Sequence, residues 1–189
     1  MKYQYLYILL TAAFLILLSV DLQRVSGSIK SFYPDHIDGP FTGGFGEESC
    51  HSCHFDYELN YPEGSLEIRG LNSTYKPGQT YEFEIALTRA DMQDAGFQLT
   101  ARFEDGSQAG GFLLNDSLTF TPGIEGDVQY LQHAPGTRTV ENSIKTWKIT
   151  WIAPQQRTGD VIFNIAANAA NGDQSEFGDW IYVEEVRVV

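Results

Sequence analysis

The chain has 189 residues and carries 12 Lys or Arg against 25 Asp or Glu, a net charge of −13. Nucleic acid and anionic lipid both need clustered basic side chains, so this balance argues against either as a partner and accords with simple solubility. Once a leader is removed, about 160 residues remain, enough for one domain with a real core and too few for a comfortable second.

The chain opens MKYQYLYILLTAAFLILLSV, with Lys2 ahead of an apolar run over residues 6–20. A short basic end followed by an apolar core is the layout of a secretory signal. Residues 1–27 are therefore read as a signal peptide cut after Gly27, or as an uncleaved N-terminal membrane anchor through residues 5–20. The run is marginal against the roughly 20 apolar residues a bilayer span wants. On either reading the remainder is exported, to the periplasm or the cell surface.

Residues 28–61 are rich in Gly, Pro, Asp and aromatics and sustain neither a 3.6-residue nor a two-residue period. They read as an irregular arm that packs by Phe32, Tyr33, Phe41 and Phe45. The arm carries GEESCHSCHFD, which holds both cysteines, Cys50 and Cys53, and two of the four histidines, His51 and His54.

From residue 62 to 189 the pattern changes to short alternating runs. SLEIRGL, TYEFEIAL, GFQLTARF, TWKITWIA, VIFNIAAN and WIYVEEVRVV read as strands, separated by turn chemistry such as KPGQ, EDGSQ and QRTGD. Tyr81, Phe83, Ile85 and Leu87 alternate with Glu82, Glu84, Ala86 and Thr88, which predicts one buried and one largely wet face. Trp147 and Trp151 are candidates for the core. The predicted fold is all-β, an antiparallel immunoglobulin-like β-sandwich behind the irregular arm.

Cys50-x-x-Cys53-His54 matches C-x-x-C-H, the haem c attachment signature. Two thiols add across the two haem vinyl groups, and the following histidine sits under the iron as proximal ligand. Candidates for the sixth iron position are His133, His36, His51 and Met92. Other readings of the same residues are a Cys50–Cys53 disulfide, which closes a very short loop and constrains little, a thioredoxin-like pair, which lacks its βαβ setting, and a zinc knuckle, which is short of ligands. Asp173, Glu176 and Asp179 in NGDQSEFGDW could ring a calcium ion or simply form a solvated turn.

The succession GGFGEESCHSCH, YKPGQ from Tyr75, AGFQLTAR from Ala95, YLQH from Tyr130, Trp147 to Pro154 and AANAANGD from Ala166 resembles a bacterial family of exported reeler-like domains, the choice-of-anchor V domains. The resemblance runs from about Phe41 to Tyr182 and implies a reelin-type sandwich with the C-x-x-C-H segment laid against it. It also implies a presented histidine at the position of His133, which raises that residue above the other sixth-ligand candidates.

The sequence thus leads to the expectation of a monohaem c-type cytochrome-like protein with covalent haem c on Cys50 and Cys53. His54 is its proximal and His133 its distal iron ligand, and electron transfer or redox sensing with an unidentified redox partner protein is its work. The rival expectation is a non-enzymatic extracellular binding or adhesion module with a Cys50–Cys53 disulfide.

Overall fold

The computed structural model of the protein describes residues 38–122, 124 and 126–189. The leader, Phe32, Tyr33 and His36 lie outside these residues. Among the described residues nine strands follow the arm: β1 (Gly64–Arg69), β2 (Thr80–Arg89), β3 (Asp94–Arg102), β4 (Gly111–Leu113), β5 (Leu118–Phe120), β6 (Leu131–His133), β7 (Ile144–Ile152), β8 (Val161–Ala170) and β9 (Trp180–Val188). They form two antiparallel sheets, ordered β1-β2-β7-β4 and β5-β6-β3-β8-β9. The expected all-β sandwich is what the chain adopts.

Register explains why the sheets face each other. In the β2–β7 pair, Tyr81 lies opposite Trp151, Phe83 opposite Ile149 and Ile85 opposite Trp147. Because side chains alternate across a strand, all six point to one face. That face is the core, where Trp147 is 1% and Trp151 0% exposed. Trp151 packs edge-on against Phe163 of β8 at 5.0 Å between centroids, which joins the two sheets. Its indole N–H donates to the Ala109 carbonyl at 3.0 Å, so the large ring is buried without an orphaned donor. Burial of side chains of this kind stabilises the fold by about 1.5–3 kcal/mol each. Glu82 and Glu84 face outward opposite Thr150 and Lys148.

The three short strands β4, β5 and β6 were not among the expected ones. Each has three residues, too few to display a period of two.

The larger sheet departs from the pattern of one dry and one wet face that antiparallel sheets commonly show. On β3, Ala95, Phe97, Leu99 and Ala101 line the core, yet the alternate residues Gln98, Thr100 and Arg102 are buried as well. Gln132 of β6 and Asn164 of β8 share this enclosure. The arm covers this polar outer surface. Hydrogen bonds hold it there, and Phe45, 43% exposed, lies with its ring 4.2 Å from the Arg102 guanidinium carbon.

Candidate interaction surface: the arm and the β8–β9 turn

The arm begins its course over the large sheet at Gln98. The Gln98 side-chain carbonyl accepts the Phe41 backbone N–H at 2.6 Å, and its amide donates to the Gly39 carbonyl at 2.9 Å and to Thr121 Oγ1 at 2.9 Å. A buried amide is costly unless its groups are matched. Here the arm supplies two of the matches and Thr121, between β5 and β6, the third.

The segment TGGFGEES then turns back on itself. Thr42 bridges Ser49, the Gly43 N–H donates to the Glu48 carbonyl at 2.9 Å, and Phe45 and Gly46 take positive φ values of 54° and 81°. The turn delivers Glu47 to Arg102 of β3. Arg102 Nη1 meets Glu47 Oε1 at 2.5 Å and Nη2 meets Oε2 at 3.2 Å, a two-pronged guanidinium–carboxylate pair. Thr42 and the Tyr130 hydroxyl donate to the same carboxylate at 2.6 and 2.5 Å. Desolvation pushes the Glu47 carboxyl up, but the hydrogen bonds from Arg102, Thr42 and Tyr130 outweigh it and leave the carboxyl below its usual value. Burial, reinforced by the Glu47 carboxylate, pushes the Tyr130 hydroxyl up to about 12. Gly44 passes so close to β8 that a Cβ on it would lie 2.2 Å from Asn164 Cγ.

The C-x-x-C-H segment follows. Cys50–Ser52 form one 3-10 turn capped by Ser49, whose hydroxyl accepts the His51 N–H at 3.2 Å. Both cysteines are free thiols. Desolvation around its sulfur pushes the Cys50 thiol up to about 12, while Cys53 is exposed. His51 Nε2 meets the Tyr57 carbonyl at 2.9 Å. His54 Nδ1 meets Asp179 Oδ2 at 2.9 Å, and Asp179 is 2% exposed. That carboxylate is also held by the Asn168 side chain and by the Asn171 backbone N–H, each at 3.0 Å. Asp179 is therefore no solvated turn residue; it anchors the arm.

His133 closes β6. It is buried on β6, accepts the Phe97 backbone N–H through Nδ1 at 3.3 Å, and lies over Gly96, where a Cβ would be 2.7 Å from its Cε1. Met92 is buried as a gap-filling side chain. Among the described residues no group of three or more His, Cys, Asp or Glu is placed to hold a metal ion.

Beyond His54 the arm runs beside the turn between β8 and β9. The Gly178 N–H donates to Asp56, the Asn60 N–H to the Ile181 carbonyl, and the Val183 N–H to Asn60 Oδ1, at 2.7, 2.9 and 2.8 Å. This course gathers aromatic residues that are distant in the chain. Phe55 and Phe177 meet edge-to-face at 6.2 Å, and Tyr57 stacks on Trp180 at 4.9 Å with 13° between the rings. Tyr61 lies 5.7 Å from Tyr57. Phe55 is 58% and Phe177 49% exposed, and Tyr57, Leu59 and Tyr61 are exposed too. The recurrence of an apolar residue at every second position from Phe55 to Tyr61 was the available signal; the partners Phe177 and Trp180 come only from the fold.

No curated protein matches the chain. Among solved structures, it is similar to the human F-spondin reeler domain at 23% identity over 70% of this chain and 93% of that one, with a TM-score of 0.45. It is also similar to the Reelin-N domain of F-spondin at 21% identity, 74% and 96% coverage and a TM-score of 0.46. The family model of the Reeler domain matches residues 49–171, from just before Cys50 through the end of β8.

This match corrects the expectation of a haem c cytochrome, with its iron, redox partner and electron transfer. The family is one of extracellular adhesion-type modules, and the match takes in the C-x-x-C-H segment as part of such a domain. The physical reason is local: His51 folds the arm onto its own Tyr57 carbonyl and His54 ties it to Asp179, so the pentapeptide has a structural explanation within this fold. Membership also supports an extracellular location. Among the described residues no helix is long and apolar enough to cross a membrane. The chain belongs to the Reeler domain family.

Proposed function

We propose that the chain is a non-enzymatic extracellular binding module, working in the periplasm or at the cell surface, and that it recognises its partner through the aromatic surface built by the arm and the β8–β9 turn. The observation that carries this reading is the exposure of Phe55, Tyr57, Leu59, Tyr61 and Phe177 on neighbouring segments. Contiguous exposed apolar surface on a soluble domain marks an interaction site, and Tyr and Trp are enriched where binding energy concentrates. The large sheet's outer face is unsuited to the role because the arm already covers it. The succession of motifs noted in the sequence supports placement in the choice-of-anchor V branch.

The test is saturable retention of the labelled full chain on intact cells of the producing organism, with Phe55→Ser/Phe177→Ser as the variant. Both rings are exposed, so the variant folds, which a thermal melt checks. Loss of retention supports the reading. Unchanged retention by a folded variant overturns it.

A further inference from the structure

We propose that the partner recognised by this aromatic surface is a cationic polypeptide segment, rich in arginine. The proposal rests on the binding-module reading and adds the chemistry of the occupant. Two observations lead to it.

The first is the charge around the rings. From Asp38 to Glu63 the chain has six acidic residues and no Lys or Arg, and NGDQSEFGDW adds Asp173, Glu176 and Asp179 with no basic residue. Glu47 and Asp179 are spent inside the arm's anchors. Glu58 remains exposed next to Tyr57, Glu63 is exposed two residues after Tyr61 and faces Arg89, and Glu176 adjoins Phe177. Apart from Arg89, which is buried against the rings, the charges beside this apolar surface are carboxylates, and such a border repels anionic partners and steers cationic ones toward it.

The second is what these rings already accept. Arg89, arriving from the end of β2, lays its guanidinium carbon 4.3 Å from the Trp180 ring centroid and 5.6 Å from that of Tyr61. It is fixed there by the Pro62 carbonyl at 2.7 Å, with Glu63 at 3.8 Å. Ring, carbonyl and carboxylate together form a guanidinium site, made intramolecularly. Phe55, Phe177 and the exposed parts of Tyr57 and Tyr61 offer further ring surface beside further carboxylates. Arginine suits such sites better than lysine because its planar, weakly hydrated head stacks on rings while its hydrogens reach carboxylates.

The experiment titrates octa-arginine and octa-lysine peptides into the full chain by calorimetry at about 0.15 M salt, where long-range charge attraction is screened. Octa-arginine is expected to bind more tightly than octa-lysine, and Phe55→Ser/Phe177→Ser to weaken it about tenfold. The control Glu82→Gln/Glu84→Gln removes two charges from the outer face of β2, away from the arm, and is expected to change the affinity less than about twofold. Equal weakening by the control and the ring variant, or equal affinity for both peptides, reduces the effect to general charge and overturns the proposal. Absence of peptide binding while cell retention still needs Phe55 and Phe177 overturns the cationic partner and leaves the binding module standing. Cell retention indifferent to those rings removes the binding-module reading itself.

Discussion

Arg102 on β3 and Glu47 on the arm form a two-pronged ion pair whose side chains are only 4% and 13% exposed. The pair joins a central strand to a segment that has no regular structure of its own. A buried ion pair contributes little net stability when intact, but removal of one member strands the other charge and costs about 3–5 kcal/mol. Glu47→Ala is therefore expected to lower the urea midpoint strongly. Glu47→Ala/Arg102→Met should recover part of the loss, because no unpaired charge stays behind. Recovery absent in the double variant would mean that the pair's worth lies in packing rather than in charge.

The same carboxylate sets an acid limit. Its pKa in the folded chain lies below the ordinary carboxylate value because of Arg102, Thr42 and Tyr130. A group with a depressed folded pKa stabilises fully above its unfolded value, about 4.3, and loses that contribution as pH falls through the folded value. Thermal melts from pH 7 to pH 3 should show a steeper acid decline for the native chain than for Glu47→Gln. Parallel declines would assign the acid sensitivity to other carboxylates.

The two cysteines should differ in reactivity. The thiolate is the nucleophile, and desolvation lifts the Cys50 thiol to about 12, so almost none is ionised at pH 8. In the reduced protein iodoacetamide is expected to label the exposed Cys53 first, and Cys50 only after denaturation, as read by peptide mass spectrometry. Equal labelling of both in the folded chain would show that the 3-10 turn opens readily.

Gly44 gives a steric test of the arm's seat. A Cβ there meets Asn164 Cγ at 2.2 Å. Gly44→Ala should cost about 1–3 kcal/mol, the usual range for overpacking a close contact, and should raise the rate of proteolytic cleavage within residues 38–61. Asn164→Ala in the same chain makes room for the methyl group and should reverse part of the effect.

Much of the sandwich was legible because long strands print their register in the sequence. Tyr81, Phe83, Ile85 and Leu87 could hardly be buried in any other periodic structure, and Trp147 and Trp151 fall on the face that alternation assigns them. The covered face of β3 was not legible. GFQLTARF alternates in the same way whether Gln98 and Arg102 meet water or another segment, and the deciding partners, Gly39, Phe41 and Glu47, are distant in the chain. The C-x-x-C-H segment misled for a related reason. Five residues suit several chemistries, and His54 is assigned by Asp179, a residue from the far end of the sandwich that no local spacing can reveal. The aromatic surface was half visible, as the alternation from Phe55 to Tyr61, and completed only by Phe177 and Trp180.

Asn60 holds the margin of the larger sheet at two points, giving its backbone N–H to Ile181 and taking the N–H of Val183 on its side chain. β9 is an outermost strand, and an unguarded margin of that kind is a template on which a further chain can lengthen the sheet. By occupying these groups, the arm withdraws that part of the margin from pairing with a further chain.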